Sequence, residues 1–178
     1  MKDIHLIIWL FPIIFMFHDF EEIIFIKPWF AKNRECLIAK YPRLSQKLVL
    51  RYSSLSTSAL ALGIAGMFML ICIVTITAYM TDWYYLWFGV FIVFTIHLLC
   101  HCLPGFIVKG YVPAIITSVI CLPICSYFIV LFLQLYKPDI VQVVFFSIVG
   151  SIVMLLNLWA VHKIMSVFDK WLNKYQNK

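Results

Sequence analysis

The sequence predicts an all-α membrane protein, a bundle of five transmembrane helices with the N-terminus outside and the C-terminus in the cytoplasm. Of its 178 residues, 64% are apolar and only 12% are charged, about half the charged share of a soluble domain. The apolar residues form runs long enough to cross a bilayer. Lys and Arg are concentrated in alternate connections, as expected of a multi-pass chain.

The five predicted spans leave no room for a separate soluble domain, so residues 1–178 are expected to form one transmembrane domain. The spans cover approximately residues 5–26, 58–80, 83–106, 111–135 and 140–164. A basic cytoplasmic connection over 27–57 and a charged cytoplasmic tail over 165–178 account for most of the remainder. Part of the connection, from about Ser45 to Tyr52, is expected to form an amphipathic helix at the membrane surface.

The orientation follows from the basic residues. Twelve of the 14 Lys and Arg residues fall on one side of the predicted bundle, and only Lys2 and Lys137 fall on the other. The positive-inside rule places the basic side in the cytoplasm. The net charge of +6 is therefore explained by membrane topology. It predicts anionic lipid headgroups as partners and is not read as a nucleic-acid signal.

The most unusual stretch is a group of ionisable residues inside the first span. His18, Asp19, Glu21 and Glu22 interrupt the apolar run from Leu6 to Ile26. At 100° per residue, His18, Glu21 and Glu22 share one helical face, while Asp19 points about a quarter-turn away and is expected to pair with a basic loop residue. Such a cluster is costly in low dielectric unless a shared proton, a basic partner or a metal ion offsets it.

The third span carries a second polar pair, His97 and His101, at the i and i+4 spacing that lets two imidazoles bind one ion. The predicted topology places this pair at the same depth as His18 and Glu22, in the cytoplasmic half of the membrane. These four residues are the predicted metal ligands. Mixed imidazole and carboxylate sets from facing helices suit a divalent metal, zinc or iron.

The two glutamates are expected to have different roles because their side chains differ by 100° in direction. Glu22 stacks nearly over His18, which favours a ligand or an orienter of His18. Glu21 is then the better general base, although the reverse assignment remains open and both are candidate catalytic residues. Two other interpretations of the cluster also remain open: a buried hydrogen-bonded network, and a proton relay.

Three further residues are expected to support the site from the same membrane depth: Asn157, Tyr111 and Lys109. Asn157 in an apolar span should be hydrogen bonded, either across helices or into the site. The six cysteines do not form a secreted disulfide framework, and most are expected to pack as small apolar residues.

The segment His18-Asp19-Phe20-Glu21-Glu22 fits the pattern H-x-x-E-E, and the chain resembles the HXXEE family of small bacterial multi-span membrane proteins. The resemblance extends to His101, Lys109 and the segment from Tyr111 to Pro113. Ala114 stands where the family has glycine, and His97 where it has a polar residue such as Asn. The resemblance implies a bacterial plasma-membrane protein with a site made from His18, Glu21, Glu22 and His101, and it supplies no substrate.

Three functions are compatible with these features. The first is a metal-dependent membrane enzyme, a hydrolase, isomerase or oxidase, whose lipid or other apolar substrate enters sideways from the cytoplasmic leaflet. The second is a proton- or ion-coupled transporter, against which the absence of an inverted repeat argues. The third is a non-catalytic accessory or immunity protein in which the polar cluster fixes helix packing.

Overall fold

The computed structural model describes residues 2–40, 55–108 and 110–176. Within these ranges the chain forms five helices and no strand. They are α1 (Lys2–Lys40), α2 (Thr57–Thr81), α3 (Tyr85–Val108), α4 (Ile115–Tyr136) and α5 (Ile140–Gln176). The amphipathic helix expected near residues 45–52 and the expected site residue Lys109 lie outside the described residues.

Four of the helices, α2 to α5, are long and apolar enough to span a membrane. At 1.5 Å per residue, the 22 residues of α4 reach about 33 Å, close to the thickness of the hydrocarbon core. The first helix, whose apolar part carries the charged motif, is not among these four. The chain is therefore an all-helical protein with the composition of a membrane protein.

Two helices continue beyond the ends of the predicted spans. The first helix does not end at Ile26 but runs through Pro28 to Lys40, and α5 includes the predicted tail up to Gln176. At 39 and 37 residues, the two helices reach about 58 and 56 Å. Each is almost twice the thickness of the hydrocarbon core, so a helix of this length that crossed the core would extend past it.

The helices pack in a closed ring in the order α1, α2, α5, α3, α4 and back to α1, with smaller contacts of α3 to α1 and α2. Aromatic side chains fill the seam between α1 and α3, where Phe11 packs against Trp87, Phe91 and Phe94. The side chain of Trp87 is fully buried in this seam. Packing between helices therefore determines its position.

Small residues allow α5 to approach its neighbours closely. A Cβ atom on Gly63 or Gly66 of α2 would meet Met165 or Val161 of α5. On α3, a Cβ atom on Gly89 would meet the backbone of Phe146 in α5. The small residues at the start of the second span predict such packing, and the structure places them at this contact.

The start of α4 differs from the start of α2. The N-cap residue of α2 is Ser56, whose side chain accepts a hydrogen bond from the backbone N–H of Ala59. The N-cap residue of α4 is Ala114, which has a left-handed backbone (φ 71°) and provides no side-chain cap. The free N–H groups of α4 must therefore find an acceptor elsewhere in the protein.

Candidate metal centre

The four predicted metal ligands converge between α1 and α3. His18, Glu22, His97 and His101 each offer one ligand atom, and these atoms all lie within 4.8 Å of one another. The Nε2 atom of His101 lies 3.0 Å from Glu22 Oε1 and 3.0 Å from His97 Nε2. The His18 ring lies 5.1 Å from the His101 ring between centroids. Two i, i+4 pairs on different helices thus face one another.

The apolar seam between the helices explains why these pairs meet. On α1, Phe11, Phe15, His18 and Glu22 follow the 4-3-4 spacing of one helical face. On α3, a similar spacing links the packed aromatic residues to His101. The aromatic packing that joins α1 and α3 therefore continues directly into the polar cluster, and it fixes the facing of both histidine-bearing turns.

The donor set fits a divalent metal ion. Ligands at about 2.0–2.1 Å from a tetrahedral zinc ion lie about 3.3 Å apart, so the widest separation of 4.8 Å needs only a small inward movement of side chains. The His18 ring is fully buried, and its Nε2 atom has no hydrogen-bond partner. Buried polar atoms are rarely left unpaired, and a metal ion would use the lone pair of this nitrogen.

Glu21 points to a different neighbour, the start of α4. One carboxylate oxygen accepts hydrogen bonds from the backbone N–H and the hydroxyl of Thr117, at 2.7 and 2.6 Å. The other accepts from the Tyr111 hydroxyl at 2.9 Å and from the backbone N–H of Ile116 at 3.4 Å. Glu21 thus caps a helix that has no side-chain cap of its own. This position differs from that of the general base predicted for Glu21.

The expected supporting residues take different positions. Tyr111 contacts Glu21 and not the metal ligands. The Asn157 amide donates to the backbone oxygen of Gly66 at 3.3 Å, so it links α5 to α2 and not to the cluster. A further histidine of α5, His162, donates from its Nδ1–H to the backbone oxygen of Leu158 in its own helix, at 2.7 Å.

Two residues that the sequence did not mark as site residues are Thr117 and Asp19. Thr117 is buried, and its hydroxyl lies 3.1 Å from His18 Nδ1. Asp19 is 5% exposed, and its Oδ2 atom has no hydrogen-bond partner. The expected basic partner of Asp19 is absent from the described residues. Thr117 is a polar residue in the first turn of a helix that has no side-chain cap. This feature of the sequence could have indicated Thr117 as a site residue.

A large apolar cavity adjoins the cluster. It has a volume of about 540 Å³ and is lined by α1, α2, α3 and α5, together with Leu55. Asp19, Glu22, His97 and His101 lie in its wall, and most of the other lining residues are apolar. This volume falls in the range of small-molecule sites, which are mostly apolar with a few placed polar groups.

These features define a class: a helical protein with apolar helices long enough to span a membrane and an imidazole–carboxylate cluster beside an apolar cavity. The chain belongs to the family described as "Protein of unknown function with HXXEE motif", whose model matches residues 9–128. The predicted resemblance is thereby confirmed, and the match includes every residue of the cluster. No curated protein and no solved structure matches the chain.

Each of the three defining residues of the family motif has a distinct position in the structure. His18 and Glu22 belong to the cluster, and Glu21 caps α4. Adjacent glutamates therefore contact different helices. Their 100° difference in direction makes this possible.

Proposed function

We propose that this protein is a membrane-embedded, metal-dependent enzyme that acts on a lipid or another apolar substrate. The observation that carries the proposal is that four ligand atoms lie within 4.8 Å of one another and that three of their residues, Glu22, His97 and His101, line an apolar cavity of about 540 Å³. Neither feature alone would suffice, because buried polar clusters also hold helices together. Their combination is typical of a catalytic site for an apolar molecule.

The metal would be zinc or iron, held by His18, Glu22, His97 and His101. Such an ion, when bound, polarises a carbonyl or phosphoryl oxygen or activates water. Hydrolysis, isomerisation and oxidation are all compatible with the donor set. The cavity would hold the apolar part of the substrate, with its polar group against the cluster.

Asp19 is the carboxyl group best placed to move a proton in such a reaction. Both oxygens of Glu21 are occupied by α4, and Glu22 lies against His101. Asp19 lines the cavity and has an unpartnered oxygen. A general acid or base must be able to reach the substrate, and this requirement favours Asp19 over Glu21.

In this proposal α1 also spans the membrane, which brings the number of spans to five. The N-terminus is outside and the C-terminus is in the cytoplasm. The protruding ends of α1 and α5 lie on one side of the bundle with the start of α2, as the hydrogen bond from Ser56 to Asp169 shows for α5. These ends carry Lys27, Lys32, Arg34, Lys40, Lys163, Lys170 and Lys174. Basic residues at one end support a cytoplasmic location in a bacterial plasma membrane, in contact with anionic headgroups.

A hydrogen-bonded network without metal is the competing interpretation. It is favoured by the two contacts of 3.0 Å at His101 Nε2, which a single proton could bridge. In that case the protein would be a non-catalytic accessory or immunity protein. The unpartnered Nε2 atom of His18 argues against this interpretation, because a network built only from hydrogen bonds would leave it unsatisfied.

Metal analysis of the purified protein separates these interpretations. We expect about one zinc or iron ion per chain, lost in His18→Ala and His101→Ala. His5→Ala is the matched control, because His5 lies at the opposite end of α1 beside Asp82 and Tyr84. A wild-type protein that takes up neither metal in stoichiometric amounts would rule out the metal-dependent enzyme.

The catalytic part needs a second measurement. The metal-loaded protein would be incubated in vesicles of total bacterial lipid, and the lipids compared by mass spectrometry. We expect a lipid species to be consumed by the wild type but not by His18→Ala. Stoichiometric metal without any change in the lipids would point to a metal-stabilised accessory protein.

A further inference from the structure

The hydrogen bonds around Thr117 connect Glu21 to His18. The Thr117 hydroxyl lies 2.6 Å from Glu21 Oε2 and 3.1 Å from His18 Nδ1. All three side chains are at least nine-tenths buried. The three groups therefore form a chain, from a carboxylate through a hydroxyl to an imidazole, away from competing water.

The proton positions in this chain follow from the number of donors. A threonine hydroxyl has one proton to donate, and an ionised carboxylate has none. The Glu21 oxygen at 2.6 Å is a charge-assisted acceptor, whereas the Ala114 carbonyl is 3.4 Å away. The hydroxyl proton therefore goes to Glu21. The hydroxyl oxygen must then accept a hydrogen bond, and the donor is the N–H of His18 Nδ1.

A proton on Nδ1 leaves the lone pair of a neutral imidazole on Nε2. The Nε2 atom of His18 is the buried nitrogen without a hydrogen-bond partner. Metal-bound histidines generally donate their other N–H to a carboxylate or carbonyl, which fixes the tautomer and the ring orientation. Here a hydroxyl stands between the imidazole and the carboxylate.

We propose that Thr117 and Glu21 are positioning residues for the metal centre, holding His18 in the tautomer that presents the Nε2 lone pair to the ion. This inference rests on the proposed metal site and deepens it. Glu21, the glutamate that does not touch the cluster, thus acts on it through Thr117 of α4, a residue outside the motif. The Glu21 carboxylate thus has two roles: it caps α4, and through Thr117 it fixes the tautomer of the ligand His18.

Zinc affinity of the metal-stripped protein, measured by competition with a chelator, tests the inference. We expect Thr117→Val, which keeps the shape and removes the hydroxyl, to weaken zinc binding by about 10- to 100-fold. Thr117→Ser should restore most of the affinity. The matched controls are Ser118→Ala and Thr75→Val, since both hydroxyls are buried and have no hydrogen-bond partner, and their zinc affinity should be unchanged.

The tautomer itself gives a readout that needs neither metal nor a variant. In the metal-free wild type, ¹⁵N NMR of the His18 ring should show a protonated Nδ1 and an unprotonated Nε2. A protonated Nε2 would overturn the inference, whether or not zinc binds. Zinc binding by the wild type with equal affinity in Thr117→Val would also overturn it, while leaving the metal site itself intact. A wild type that binds neither zinc nor iron but shows the expected tautomer contradicts the proposed function, and with it the role of Thr117 and Glu21 in metal binding.

Discussion

Thr117 donates two hydrogen bonds to one oxygen of Glu21, from its hydroxyl at 2.6 Å and from its backbone N–H at 2.7 Å. The two residues lie 96 positions apart in the chain, on α1 and α4. Because Ala114 provides no side-chain cap, this contact replaces the local cap that most helices have. The stability of α4 and the position of α1 are therefore coupled.

The two adjacent glutamates should respond differently to the same substitution. Glu21→Gln keeps the shape but removes a charge that accepts four hydrogen bonds, so we expect a loss of about 1.5–3 kcal/mol in stability, the typical contribution of a hydrogen bond to a charged group. Glu22→Gln should leave the thermal stability of the metal-free protein nearly unchanged and weaken zinc binding. Thermal unfolding in detergent and zinc titration would be measured on both variants.

Equal losses of stability in the two variants would contradict this distinction. Phe20→Leu is a suitable control, because Phe20 lies between the functional positions of the motif and is 53% exposed. It should change neither quantity by more than a few tenths of a kcal/mol.

The protein with Asp19 should be less stable than a variant with an apolar residue at this position. A buried carboxyl group with an unpartnered oxygen is costly, and an apolar residue of similar volume removes that cost. We expect Asp19→Leu to stabilise the metal-free protein by about 1–3 kcal/mol, to keep zinc binding and to abolish any lipid-converting activity.

The contrasting variant is Asp169→Leu. Asp169 accepts a hydrogen bond from the backbone N–H of Ser56 at 2.9 Å, so its loss should destabilise the protein. If Asp19→Leu were as destabilising as Asp169→Leu, Asp19 would have a structural partner and could not serve as a free acid or base.

Ala114 should tolerate glycine better than any branched residue. Its φ of 71° lies in the left-handed region, which costs about 1–2 kcal/mol for a residue with a Cβ atom. We expect Ala114→Gly to raise stability by up to about 1 kcal/mol, the buried methyl group offsetting part of the gain. Ala114→Val should lower it. A lower unfolding midpoint for Ala114→Gly than for Ala114→Val would exclude backbone strain at this position.

The proposed orientation predicts which loops react from each side. Cys36 is exposed on the protruding part of α1, and Lys137 lies between α4 and α5 at the opposite end. In intact cells, a membrane-impermeant maleimide should label Lys137→Cys and should label Cys36 only after permeabilisation. These measurements would use a background lacking the other cysteines. The reverse pattern would place the basic end outside.

Much of the cluster could be predicted from the sequence because helical spacing determines which residues share a face. His18 with Glu22, and His97 with His101, are i, i+4 pairs, and alternating spans placed them at one depth. The sequence could not indicate which helix lies on each side of α1. It therefore predicted Glu21 as the better general base, with the reverse assignment open, and could not show that Glu21 contacts the uncapped start of α4. The ring order of helices depends on packing across the whole bundle.

The ends of the helices also could not be predicted from local residue preferences. Lys27 and Pro28 are typical of a helix end, yet α1 continues to Lys40. Trp29 provides part of the reason, since its indole N–H donates to the backbone oxygen of Tyr111 at 2.6 Å. This contact joins the helix beyond Pro28 to the turn before α4, a tertiary interaction that residue preferences do not contain.

The long sequence separation between the motif and its partners has a consequence for biosynthesis. Thr117, which hydrogen bonds to both His18 and Glu21, comes 99 and 96 positions after them, so α1 is synthesised well before α4. During that interval its ionisable groups lack their final neighbours, and in the proposed membrane location of α1 such groups are costly. Chains truncated before α4 should therefore be recognised as incomplete by membrane proteases, and the motif would report whether assembly has been completed.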